Sequence, residues 1–157
     1  MNRMNSLLLA LTTLSLTTSA AADHLNANLK DFRAVCINTT YEVRGQEDDA
    51  VNNDLFDLMI KRLQDAGIPL APNPCQEKST PTARHLNLLY TFTSTKNGAA
   101  YMGMLDGWLA TDGKYIEPSL WMDYYYGVPG KDALEDLAFD VLNDTLDAFT
   151  DAWKQTH

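Results

Sequence analysis

The sequence predicts an α+β domain: a three- to four-stranded, mainly antiparallel sheet with two helices packed on one face, in the order β-α-(β)-β-β-β-α. Three observations carry this expectation. Apolar residues from 51 to 66 recur at helical spacing, a second such stripe runs through 131–153, and three segments between 86 and 126 alternate as strands around turn signals. A meander gathered between two amphipathic helices buries all its apolar faces if both helices lie on the same side of the sheet.

Each element has its own signature. Residues 32–37 (FRAVCI) read as a first strand, with an extension through Tyr41, Glu42 and Val43. Residues 45–50 (GQEDDA) form a turn whose acids suit a helix amino terminus. Val51, Leu55, Leu58, Met59, Leu63 and Ala66 then share one helical stripe, which Gly67 and Pro69 stop. Residues 68–75 (IPLAPNPC) are proline-rich and read as a short edge strand, and 76–84 as a polar loop. Leu86, Leu88, Tyr90 and Phe92 alternate onto one face of the next strand. Lys96-Asn97-Gly98 is a tight-turn signal, which makes residues 100–110 its hairpin partner, with Met102, Met104 and Trp108 sharing a face with Asp106. A second turn at 111–114 leads into a last strand over 115–126, where Pro118 calls for a bulge or an edge position. The closing helix spans about 131–153; its stripe includes Leu134, Leu137, Ala138, Val141, Thr145, Ala148, Phe149 and Ala152.

Residues 1–22 read as a cleaved signal peptide: one basic residue (Arg3), an apolar run over 6–16 and small residues up to Ala22. That run is too short for a stable membrane anchor, so a soluble periplasmic or secreted protein is expected. Residues 23–31 are expected to form a flexible arm and 32–157 a single domain. Losing Arg3 from 12 basic residues leaves 11 against 21 acidic ones, a net charge of −10 after cleavage. Nucleic acid and anionic membrane surfaces both require a basic footprint, so this balance argues against them as partners. In an oxidising compartment Cys36 and Cys75 are expected to pair, closing a loop worth roughly 4 kcal/mol in the chain-entropy model.

Four patterns bear on function. On the last helix Asp136, Asp140, Asp144, Asp147 and Asp151 share the face opposite the apolar stripe, either as a solvated face or as a surface for a basic partner. In the last strand, alternation sends Trp121 and Tyr125 to one side and Leu120, Met122, Tyr124 and Tyr126 to the other. One side lies under the helices; the other shows aromatics to solvent, and Trp108, Trp121, Asp123 and Tyr125 are the candidate binding residues. Asp106 and Asp123, set among strand aromatics, are the candidate acid–base pair of a small hydrolase if their strands are neighbours. Ala22-Asp23-His24, exposed by cleavage after Ala21, would suit square-planar Cu(II) or Ni(II). There is no G-x-S-x-G, H-E-x-x-H or C-x-x-C. Binding to another envelope or extracellular protein, without a cofactor, is the leading expectation; hydrolysis and amino-terminal copper or nickel binding are the alternatives.

The order of a strand, a helix ending in RLQDAGI (62–68), a meander and a long carboxy-terminal helix resembles the small periplasmic domains of envelope-assembly proteins, of the TolB amino-terminal and curli-secretion lipoprotein type. The resemblance is one of element order over residues 32–153. It implies a non-catalytic envelope role and assigns no residue. The lipidated members carry an amino-terminal cysteine that this sequence lacks at the cleavage site.

Overall fold

The computed structural model describes residues 26–71, 85–109, 119–130 and 133–157. A short 3-10 turn (Asn26–Leu29) leads into β1 (Ala34–Val43) and β2 (Gln46–Glu47), then α1 (Asp49–Asp65), β3 (His85–Ser94), β4 (Tyr101–Trp108), β5 (Ser119–Gly127) and α2 (Leu134–Lys154). The strands form one sheet in the order β2-β1-β3-β4-β5. The class is α+β, but among the described residues the sheet is five-stranded and mixed. β1 and β3 pair in parallel from Ala34↔His85 to Glu42↔Thr93, whereas β3–β4 and β4–β5 are antiparallel. Alternation in a sequence reports which face a residue takes and is silent on strand direction, so the parallel pair was not legible from it.

Local chemistry explains the boundaries. β1 ends in a two-residue turn in which Arg44 (φ 58°) and Gly45 (φ 74°) both adopt left-handed backbone, the geometry that matches hairpin twist and creates the two-residue strand β2. Asp48 caps α1, its Oδ1 accepting from the N–H groups of Ala50 (3.0 Å) and Val51 (3.2 Å). At the other end Gly67 (φ 75°) donates to the Gln64 carbonyl and Ile68 to that of Leu63, the paired closure that satisfies the orphan carbonyls of a helix end. Leu63 and Ile68 are both buried, completing that stop with an apolar contact. Of the expected short edge strand over 68–75, the described residues 68–71 make one bridge, Val35↔Leu70, and 72–75 lie outside the described residues. The Lys96-Asn97-Gly98 turn is present, with Gly98 N–H donating to the Thr95 carbonyl at 2.8 Å.

Both helices contact each other and lie on one side of the sheet. That side buries Val35, Ile37, Leu86, Leu88, Tyr90, Phe92, Leu105 and Trp121 against Leu55, Met59 and Leu63 of α1 and Ala138, Leu142, Leu146 and Phe149 of α2. Gly103 lets α2 close onto the sheet, and Gly107 makes room for Leu86 of the neighbouring strand β3. A Cβ on Gly103 would sit 2.6 Å from Val141 of α2, and one on Gly107 would sit 2.9 Å from Leu86. The tyrosine hydroxyl of Tyr90 crosses the core and donates to the Ala138 carbonyl at 2.6 Å. Residues 26–31, read from sequence as part of a flexible arm, are docked at this stage of the chain. Leu29 is fully buried, and Asn28 Nδ2 donates to the Leu120 carbonyl at 2.9 Å.

Candidate functional site

Register decides which side chains share a face. Leu105 stands opposite Asp123, Gly103 opposite Tyr125 and Gly107 opposite Trp121, all on the helix side. The alternate positions, Met102 opposite Tyr126, Met104 opposite Tyr124 and Asp106 opposite Met122, turn away from the helices. This second face is solvent-facing at the β4–β5 end. Tyr126 is 75 % exposed, Tyr124 48 % and Met102 36 %, and the two tyrosine rings stack with centroids 6.1 Å apart. At the opposite end of the same face the sheet is not open: Cys36, His85 and Asn87 are buried.

The expected binding residues are therefore divided. Trp121 is 3 % exposed and belongs to the core, its ring edge-on to Phe149 at 5.1 Å. Tyr125 shares the helix side with Trp121 yet stands at its rim, 41 % exposed. Burial, then Asp123 and then Asp144 on α2 push its phenol above the ordinary value. Trp108 is half-buried on the face away from the helices. The exposed aromatic surface is thus that of Tyr124 and Tyr126, with Met102, Met104 and Met122 between and beside them, and Trp121 has no part in it. One signal in the sequence distinguishes the faces. The glycines at 103 and 107 alternate with Leu105, leaving room on that face for α2 at 103 and for Leu86 of β3 at 107, whereas Met102, Met104, Asp106 and Trp108 form the other set.

Asp106 and Asp123 do sit on neighbouring strands, but their side chains leave opposite faces of the sheet, so they do not form a carboxylate pair across a substrate. Asp106 instead accepts from Ser119 Oγ. Of the five aspartates of α2, all exposed, Asp147 pairs with Arg62 of α1. Among the described residues no three His, Cys, Asp or Glu side chains gather around one point. Asp23 and His24 of the amino-terminal metal motif lie outside the described residues, as do the signal segment and Cys75.

The edge of the sheet adds backbone to this surface. Among the described residues β5 forms one edge of the sheet and β2 the other. Two of the outward groups of β5 are already occupied: the Leu120 carbonyl by Asn28, and the Tyr124 N–H by the carboxylate of Asp123 at 2.9 Å. Leu120 sits at the irregularity of the β4–β5 register, so the Tyr124 contact sets the phase of the regular strand beyond it. Even-numbered residues turn their N–H and C=O groups away from β4, and odd-numbered ones turn theirs toward it. No helix among the described residues is long and apolar enough to cross a membrane. Comparison with protein-family models, with curated proteins and with solved structures finds no match.

Proposed function

We propose that the chain is an exported, non-catalytic binding protein that contacts another envelope or extracellular protein through the β4–β5 surface. The single observation behind this reading is the uncovered set of Tyr124, Tyr126 and Met102 on a sheet whose other face carries both helices. Apolar side chains gathered on a surface usually mark a contact for a partner, and tyrosine supplies area at low entropic cost. Export follows from the leader-like residues 1–22, and with it a disulfide between Cys36, buried on β1, and Cys75. The resemblance in element order to envelope-assembly domains agrees with a non-catalytic role. Hydrolysis by Asp106 and Asp123 loses its support with the two carboxylates on opposite faces.

Native mass spectrometry of the protein recovered from the exporting cell tests this, as wild type and as the double variant Tyr124→Ser/Tyr126→Ser. The expected spectrum shows a bound partner on the wild type alone, together with the loss of two hydrogens for the disulfide. An identical state of assembly in the two proteins contradicts the reading.

A further inference from the structure

We infer that the outer edge of β5 accepts an extended segment of the partner as a sixth strand, and that this segment alternates basic with apolar residues. The inference rests on the binding reading above and names the chemistry of its partner.

The edge is built for addition. Residues 122–127 (MDYYYG) contain no proline and no lysine, the usual blocks to edge pairing, and among the described residues no further strand lies outside β5. The outward phase leaves Met122, the Tyr124 carbonyl and Tyr126 for an incoming backbone, room for about five residues of strand. The Tyr124 N–H is held by the side chain of Asp123. A carbonyl of the added strand would take that N–H over and free the carboxylate at the same moment.

The two sides of this edge differ in chemistry, and that difference selects the occupant. On the helix side stand Asp123 and, across from it on α2, Asp144, both near Tyr125; Asp140 and Asp151 are exposed on the same helix. On the other side stand Met102, Met122, Tyr124 and Tyr126. An added strand sends alternate side chains to these two sides, so lysine or arginine would meet the carboxylates while apolar residues lie on the tyrosines and methionines. A second copy of this chain fits poorly. Antiparallel pairing of β5 with itself would bring Asp123 and the acidic face of α2 against their own likenesses, in a molecule of net charge −9.

The test uses the full mature chain and a capped heptapeptide of alternating lysine and valine, with a glutamate–valine counterpart, followed by fluorescence anisotropy. The lysine peptide is expected to bind, more weakly as salt rises, and the glutamate peptide not to bind. Tyr126→Pro removes an outward N–H without touching the β4 ladder and is expected to weaken binding about tenfold or more. Asp123→Asn combined with Asp144→Asn does the same by charge and flattens the salt dependence, which keeps the test decisive if the proline variant misfolds. Lysine-peptide binding unchanged in both variants, or no binding at all, overturns the inference. So does a dimer of the free chain that Tyr126→Pro dissolves, since a second copy would then own the edge. If the peptide fails while the cellular complex still depends on Tyr124 and Tyr126, the edge inference falls and the surface reading stands; if that complex ignores both tyrosines, the surface reading itself falls.

Discussion

Replacing Trp121 by alanine separates the core from the surface in one experiment. The indole is 3 % exposed, edge-on to Phe149 at 5.1 Å, and Phe149 in turn lies 5.9 Å from Trp153. A buried tryptophan removes about 200 Å² from water, and at about 25 cal/mol per Å² that is about 5 kcal/mol. Truncations of this kind cost about 3–5 kcal/mol when the hole does not collapse. A site roofed by α2 and floored by the sheet has little freedom to close. With a urea dependence of about 2 kcal/mol per molar, the unfolding midpoint should fall by about 1.5–2.5 M. Tyr126→Ala, on a side chain 75 % exposed, should stay within about 0.5 kcal/mol of wild type. Urea unfolding followed by far-ultraviolet circular dichroism measures both. A loss under about 1 kcal/mol for Trp121→Ala, or equal losses for the two variants, would refute the assignment of faces.

Three further outcomes follow from the packing. Gly103→Ala should destabilise by about 1–3 kcal/mol through the 2.6 Å approach to Val141, and Val141→Ala should recover part of that loss in a double-mutant cycle measured by urea unfolding. Tyr90 is raised well above the ordinary phenol value by burial and then by Tyr101 and Tyr41, and Tyr41 is raised by burial and then by Glu135 and Asp48. A folded value above the unfolded one gives stability that is complete below about pH 10 and lost as the pH rises through the folded values. The urea midpoint should therefore hold level up to about pH 10 and then drop, with a shallower drop in Tyr90→Phe. Arg62→Ala should cost less than about 1 kcal/mol in the same assay, because its Asp147 partner is two-thirds exposed.

Much of the fold was legible because its punctuation is local. Asp48 before the first helix, Gly67 after it and the Lys96-Asn97-Gly98 turn each act within a few residues, and the structure places all three where their chemistry requires. The pairing of β4 with β5 carries one irregularity, between Gly107 and Trp108, where Leu120 is passed over; the proline at 118 lies outside the described residues. Pairing direction was hidden: β1 meets β3 only after α1 returns the chain, and no residue pattern marks that. The candidate surface was half legible. Alternation sorted Trp121 and Tyr125 from Tyr124 and Tyr126 correctly, but which set the helices cover is a tertiary fact. The large aromatic Trp121 goes inside because it buries the most area, and the amphipathic tyrosines tolerate the wet face. Asp106 and Asp123 show the same limit. Their positions placed them on neighbouring strands, and a single step in register sends them to opposite sides.

Amide hydrogen exchange at β5, with and without the lysine–valine peptide, tests the open edge most directly. In the free protein the amides of Met122 and Tyr126 should exchange quickly while those of Asp123 and Tyr125, turned toward β4, exchange slowly; the peptide should slow the first pair and leave the second unchanged. Met122 and Tyr126 as protected as their neighbours in the free protein, or indifferent to the peptide, would contradict the account.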